Sequence, residues 1–275
     1  MLGKLLKYDF KAILKYWWIA AISSLAFSAA GGACFAFVTR IEDFSPALII
    51  PLILFIFLAY IAMFGFILAS FIFIFTRFYK NFFTDEGYLT FTLPVTRFEL
   101  LNSKLISGVS ILMFTIVIFI IEISLFIGIP VSTTGELGKI LPKLSSMLSG
   151  INIAAGPYIY VFLAEGLIAI ILSSIFSTLL FFCCITFACV ISRKLKVLIA
   201  IGIYYVASGI ISTCTTLFMF LGVSNFSERI SQLSQPTVFP ATALTVLMVL
   251  IFMAIVCLAL YALEYWMLDR KLNLN

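Results

Sequence analysis

Long apolar runs recur along this chain, and they limit its possible folds more than any other feature. Six segments of about twenty residues or more carry almost no charge. At about 1.5 Å of helix per residue, each can cross a hydrocarbon core roughly 30 Å thick. Hydrophobic residues make up 64% of the sequence and charged residues only 11%, which lies outside the composition of soluble domains. The sequence therefore predicts an all-α integral membrane protein.

The predicted spans are joined by connections too short to fold as soluble domains, so residues 1–275 are expected to form a single transmembrane domain. The spans are residues 17–38, 48–75, 107–129, 157–191, 197–222 and 241–267. The fourth span is longer than a bilayer requires, and its length places Glu165 near the outer headgroups. An even number of crossings puts both termini on the same side.

The distribution of lysine and arginine indicates the orientation. Most of the 17 basic residues lie on the side that holds both termini, which is cytoplasmic by the positive-inside rule. The other side receives Arg40, Lys139, Lys143 and Arg229. Trp17, Trp18 and Trp266 then lie at the cytoplasmic boundary, which amphipathic rings favour. We therefore expect a multi-pass protein of the plasma membrane with N-in/C-in topology.

The first sixteen residues form a basic amphipathic segment. One helical face carries Leu2, Leu5, Leu6, Phe10, Ile13 and Leu14, and the other carries Lys4, Lys7, Lys11 and Lys15. Such a helix lies along the inner leaflet with its lysines towards anionic lipid headgroups. We expect residues 1–16 to form an elbow helix that turns the chain into the first span. A cleaved signal peptide is disfavoured, because the apolar run that follows is longer than signal peptides carry.

Several kinds of chemistry are excluded by composition. The sequence has no histidine, the commonest general base and a frequent metal ligand, so histidine-based triads and zinc sites are ruled out. The six cysteines all fall in apolar runs, where they resemble small buried hydrophobic residues. The net charge of +5 is explained by topology, and no nucleic-acid-binding module is visible. We expect no catalytic residue, no metal site and no nucleic-acid partner.

The connection between the second and third spans, residues 76–106, is richer than a linker needs to be. Thr84 is a candidate N-cap, with Asp85 and Glu86 in the first turn of a short helix that Pro94 ends. Aromatic and leucine side chains exceed what a two-helix hairpin can bury alone. They are Phe82, Phe83, Tyr88, Leu89, Phe91 and Leu93. Either they pack under the spans or at the membrane interface, or they bind a cytoplasmic partner.

The second half of this connection predicts a helix that continues into the third span. Thr96 and Glu99 match a capping box, with Thr96 as the N-cap and Glu99 at the third helical position. No proline or glycine follows before Ile106. The predicted arrangement is therefore a short helix, a proline break and a connecting helix that begins at Arg97.

Over residues 77–104 the sequence resembles the permease subunits of type-2 ABC exporters of Gram-positive bacteria, particularly small clostridial permeases. The basic elbow, the six spans and the long second connection extend the resemblance in topology to the whole chain. The resemblance implies a second permease subunit, identical or different, and two ATP-binding cassette ATPase subunits. It also implies a coupling helix, carried here by Thr84, Asp85, Glu86, Gly87, Tyr88, Leu89 and Phe91.

ATP is expected to bind a different chain. The pairs Gly3-Lys4 and Gly138-Lys139 lack the preceding glycine and the following Ser or Thr of a Walker A motif. This chain is therefore expected to be a transport subunit without enzyme activity and without a bound cofactor. ATP and Mg²⁺ are expected on the partner ATPase, whose hydrolysis would drive export.

Polar residues inside the spans are candidates for a translocation path. Glu122 is the one clearly intramembrane acid, and it is either a proton or cation site or a hydrogen-bond acceptor for hydroxyls on a neighbouring span. The fifth span has a polar face that either lines a path or bonds back to its own helix. That face comprises Tyr205, Ser208, Ser212 and Thr216. The first span carries a stripe of small residues, suited to close helix contact within the subunit or at a dimer interface. The stripe is Ala20, Ser24, Ser28 and Gly32.

Two other functions remain open on the residues alone. One is an ATP-independent secondary carrier, which would move its substrate in response to a proton gradient. The other is a non-transporting sensor or immunity subunit, which would bind a peptide or antibiotic outside without flux. A proton-driven carrier generally uses several intramembrane ionisable groups. The secondary carrier is therefore supported only as far as this chain supplies such groups.

Overall fold

The computed structural model has six long helices. It describes residues 2–40, 46–84, 87, 95–135, 138, 142–143, 145–147, 149–150, 156–191, 195–230 and 238–270. The helices are α1 (Leu2–Arg40), α2 (Pro46–Phe83), α3 (Arg97–Thr133), α4 (Tyr158–Ile191), α5 (Lys196–Ile230) and α6 (Val238–Arg270). All six are long and apolar enough to cross a membrane, and no strand occurs among the described residues. The prediction of an all-α, multi-pass membrane protein is confirmed.

The predicted elbow is not a separate helix. Helix α1 is uninterrupted from Leu2 to Arg40, because no proline or glycine occurs near residue 16. The predicted division of its faces does hold, since the four lysines are exposed while Asp9 and Ile13 are buried. The described part of the first sixteen residues therefore belongs to the same helix as the first span.

Helix α2 extends beyond the predicted end of the second span, whereas α3 begins at Arg97, where the connecting helix was predicted to start. Helix α2 continues through Arg77 to Phe83. The stretch after residue 75 contains no helix breaker, and the Thr84 hydroxyl donates a hydrogen bond of 2.6 Å to the Lys80 carbonyl at the end of α2. The connection between the two helices is residues 84–96, which we call the coupling loop.

The chain divides into two compact units. The first, which we call the α4–α6 unit, comprises Met1–Leu5, Phe78–Val109 and Asn152–Asn275. The second, the α1–α3 unit, comprises Leu6–Arg77 and Ser110–Ile151. Helices α2 and α3 each contribute residues to both.

In the α1–α3 unit, Trp17 joins three helices. It is 2% exposed, and its indole N–H donates to the hydroxyls of Ser70 on α2, at 3.0 Å, and Thr115 on α3, at 3.2 Å. Neighbouring helices therefore enclose the Trp17 indole, and the predicted location of the three tryptophans at the cytoplasmic boundary stays a prediction. Trp18 and Trp266 are about half exposed.

The stripe of small residues on α1 packs within this unit. Ser24 and Ser28 are buried against α3, and a Cβ added at Gly32 would lie 3.0 Å from the carbonyl oxygens of Leu125 and Phe126. On the α2 side, a Cβ added at Gly31 would overlap the Ala59 Cβ. Small side chains thus allow α1 to approach both neighbours closely, as membrane helices without a hydrophobic driving force require.

In the α4–α6 unit, α4 packs most extensively against α6. The last turns of α2 also join this unit, where the Phe78 ring stacks on Phe182 of α4 with 3.8 Å between centroids. Helix α5 is almost entirely exposed along its membrane-spanning window. The coupling loop therefore leaves α2 from a helix end fixed to α4.

Candidate functional site

The connecting helix begins with a reciprocal cap. The Thr96 backbone N–H donates to the Glu99 carboxylate at 3.3 Å, and the Glu99 backbone N–H donates to the Thr96 hydroxyl at 3.3 Å. These are the two bonds of a capping box, and they satisfy donors that a helix N-terminus otherwise leaves free. The cap fixes the point at which the coupling loop ends and α3 starts.

Two residues of the predicted coupling helix lie among the described residues. The Gly87 backbone N–H donates to the Thr84 carbonyl at 2.7 Å, forming a turn directly after α2. A Cβ added at Gly87 would lie 2.8 Å from the Phe82 carbonyl oxygen, a backbone atom that cannot move away cheaply. The turn therefore requires glycine for close approach. The other predicted coupling residues lie outside the described residues. They are Asp85, Glu86, Tyr88, Leu89 and Phe91.

The described aromatics at the start of the loop are packed against their own chain. Phe82 is 1% exposed and lies 4.9 Å from the Phe78 ring, while Phe83 is only partly buried. For Phe82 the structure supports packing against the spans, and this side chain is not available to a partner. Its burial anchors the α2 end of the coupling loop, and the predicted partner-binding residues Tyr88, Leu89, Phe91 and Leu93 lie outside the described residues.

The other end of the coupling loop is anchored through Arg97. Its guanidinium Nη1 donates to the backbone carbonyls of Leu268, at 3.1 Å, and Asp269, at 2.7 Å. The same nitrogen lies 2.8 Å from the Asp269 carboxylate. A cation at this position complements the negative end of the α6 dipole and caps carbonyls that have no helical partner. From the sequence, Arg97 was predicted only to begin the connecting helix.

Glu122 is a hydrogen-bond acceptor between α1 and α3. The Ser24 hydroxyl donates to its Oε1, and the Ser28 hydroxyl donates to its backbone carbonyl at 2.6 Å. The side chain is 0% exposed, and its Oε2 has no hydrogen-bond partner. Of the two interpretations drawn from the sequence, bonding to hydroxyls on a neighbouring span is the one that the structure shows.

Glu122 is not the only acid buried inside a spanning helix. Glu264 on α6 is 0% exposed and accepts a 2.7 Å hydrogen bond from the Thr186 hydroxyl of α4. Glu165 on α4 is 5% exposed, and its predicted position near the outer headgroups stays a prediction. Each of these two acids also has an Oε2 without a hydrogen-bond partner. Three acids are therefore buried within the described helices that could span a membrane, and Glu264 was not among the residues singled out from the sequence.

Two hydroxyls on the polar face of α5 bond back to their own helix. The Ser208 hydroxyl donates to the Tyr205 carbonyl at 3.2 Å, and Thr216 donates to the Ser212 carbonyl at 2.9 Å, as serine and threonine commonly do in apolar surroundings. Tyr205 is 72% exposed. These residues belong to the α4–α6 unit and Glu122 to the α1–α3 unit, so a translocation path that includes all of them stays a prediction.

Two further features concern charge. In the α1–α3 unit the buried Asp9 lies 3.6 Å from Arg77, so a basic residue interpreted only as a topology signal also has a structural partner.

Within the described ranges, no group of three or more Cys, Asp or Glu side chains is arranged to hold a metal ion. What the described geometry offers is mechanical: a loop whose two ends are attached to different helices of the same unit.

Comparisons with known proteins do not assign the chain to a family. No protein-family model, curated protein or solved structure that was compared matches it. The functional assignment therefore rests on the residues and on the contacts described above.

Proposed function

We propose that this chain is the transmembrane permease subunit of an ATP-driven ABC exporter in the plasma membrane. In this proposal two permease subunits, identical or different, assemble with two separate ATPase subunits that bind ATP and Mg²⁺. The α2–α3 end of the helices and both termini face the cytoplasm, as the basic residues favour. Nucleotide-driven movement of the ATPase subunits reaches the spans through the coupling loop, and substrate leaves by alternating access between permease subunits.

The observation that carries the proposal is the anchoring of both ends of the coupling loop. Phe82 is buried at the end of α2, and Arg97 is bonded to the end of α6 at the start of α3. A loop that only joined two spans would need neither attachment. Rigid ends allow a force on the loop to displace helices instead of being lost in local bending. The resemblance over residues 77–104 agrees with this role.

The proposal is tested by purification from native membranes. An affinity-tagged chain should recover an ATP-binding chain, and nucleotide hydrolysis should accompany the recovered assembly. Reversing the charges of Asp85 and Glu86 to lysine should reduce recovery of the ATPase at least tenfold, because the coupling helix would then repel or misplace its partner. Insertion and yield of the chain should be unchanged.

A matched control reverses two acids on the opposite side of the predicted topology, Glu136 and Glu228. This variant has the same change in charge and should recover the ATPase as the wild type does. If the wild-type chain brings down no ATP-binding protein, or if both double reversals behave alike, the proposed coupling role is wrong.

A proton-driven carrier is the second candidate, and the buried acids favour it more than the sequence alone did. Glu122, Glu165 and Glu264 each place a carboxyl oxygen without a hydrogen-bond partner inside a spanning helix. Intramembrane carboxyl groups of this kind serve proton relays in transporters. Purified protein in liposomes should then move protons in response to an imposed pH gradient without ATP, and Glu264→Gln should slow that flux. Absence of proton flux eliminates this candidate.

A further inference from the structure

The first turns of α3 are attached to α6 at three places. Arg97 bonds to two carbonyls and the carboxylate at the end of α6. One turn further along α3, the Tyr261 hydroxyl of α6 donates to the Asn102 side-chain oxygen at 3.0 Å. The rings of Phe98 and Tyr261 meet edge to face, with 6.3 Å between centroids. As residue numbers rise along α3, the numbers of the residues that they contact on α6 fall, so the two segments run antiparallel.

Helix α6 continues the connection to α4. Glu264 accepts a hydrogen bond from Thr186, and the Cys183 thiol donates to the Leu260 carbonyl at 3.4 Å. Both contacts lie within about two and a half turns of the Arg97 attachment. All of these residues belong to the α4–α6 unit, so the chain of contacts runs from the coupling loop through α6 to α4 within one compact body.

We propose that Arg97 is a positioning residue through which movement of the coupling loop is carried into α6 as well as into α3. This inference rests on the proposed function, and it adds a second output helix to it. Arg97 lies in the first turn of α3, directly after the N-cap Thr96 that ends the loop. Displacement of the loop therefore moves Arg97, and its bonds to the last turn of α6 transfer that displacement across helices.

The Arg97–Asp269 pair is poorly placed to serve folding alone. The two side chains are 45% and 51% exposed, and exposed ion pairs contribute little to the stability of a folded protein. The pair is, however, the contact between α3 and α6 that lies closest to the coupling loop. Its guanidinium binds both the backbone and a side chain at the end of α6. Loss of this contact should uncouple α6 while α3, which is covalently continuous with the loop, still responds.

The experiment uses the purified assembly with its ATP-binding chain. An environment-sensitive fluorophore is attached either at Leu258→Cys on α6 or at Ile106→Cys on α3, both exposed positions, after Cys214→Ser removes the exposed native thiol. Fluorescence is recorded before and after addition of a non-hydrolysable ATP analogue with Mg²⁺. The permease variants are wild type, Arg97→Asp, Asp269→Arg and the double exchange.

In the wild type we expect a nucleotide-dependent signal at both positions. Each single reversal should reduce the α6 signal at least fivefold and leave the α3 signal within twofold of wild type. The double exchange should restore at least half of the α6 signal, because Asp at the start of a helix and Arg at the end of one both suit the helix dipole. Rescue separates a positioning role from a general loss of folding.

The outcomes distinguish this inference from the proposed function. An α6 signal that survives both single reversals, or that is absent in the wild type while the α3 signal is present, overturns the role of Arg97 and leaves ATP-driven transport standing. Failure of the double exchange to restore the signal also overturns it. If no ATP-binding chain accompanies the wild type, the proposed function falls first, and this inference falls with it.

Discussion

Replacing Gly31 by alanine measures directly how closely α1 and α2 approach. The added Cβ would overlap the Ala59 Cβ, well inside the 3.4 Å at which ordinary contacts begin. One helix must therefore shift in a closely packed interior. Overpacking of this kind costs about 1–3 kcal/mol, and the better helix propensity of alanine offsets about 1 kcal/mol. We expect a net loss of about 0–2 kcal/mol in the free energy of unfolding.

The matched control is Gly65→Ala on α2, where nothing lies within 4 Å of the added Cβ. This variant should be neutral or slightly stabilising. Unfolding in mixed detergent micelles, with increasing fractions of sodium dodecyl sulfate and circular dichroism as the signal, compares the two variants. Adding Ala59→Gly to Gly31→Ala should restore stability, because it removes the other half of the collision. Equal stability of the two alanine variants, or no recovery in the double variant, would refute the proposed close approach.

Two further variants test other contacts that the structure defines. Trp17→Phe keeps an apolar ring but removes the N–H that donates to Ser70 and Thr115. In the same unfolding assay, this variant should lose about 0.6–1.7 kcal/mol in the free energy of unfolding. A loss below the error of the assay would contradict those bonds. Gly87→Ala places a Cβ against the end of α2 and should reduce recovery of the ATPase chain severalfold without lowering yield. Gly138→Ala, with no atom within 4 Å of its Cβ, should recover it fully.

Local patterns were sufficient for much of the fold. The apolar runs predict six helices because any segment of that length and composition must be helical to satisfy its backbone in lipid. The capping box at Thr96 is likewise visible in four consecutive residues, and both of its bonds are present. The prediction of a separate elbow helix differs from the structure for a related reason. Amphipathicity identifies the faces of a helix, but it does not show where one helix ends and the next begins.

The contacts that define the candidate site depend on residues far apart in sequence. Glu264 and its partner Thr186 are separated by 78 positions, and Arg97 and Asp269 by 172. No local pattern reveals which helices become neighbours. Glu264 was also overlooked because it lies near the end of the last predicted span, where a charged residue resembles an interfacial one. Its place within an apolar run, three residues before Met267, was the signal that could have identified it.

The long separation between Arg97 and Asp269 also sets an order of events during biosynthesis. Ribosomes add about 5–20 residues per second, so the 172 positions between the two residues take about 9–34 s to synthesise. For that interval the beginning of α3 exists without its attachment, and the α2 end of the loop is fixed only after Phe182 of α4 has been made. The attachment forms only when α6 has left the machinery that inserts it. A partner of the kind proposed, which would recognise the doubly fixed loop, would therefore meet a chain whose insertion is already complete, and incompletely made chains would not compete for it.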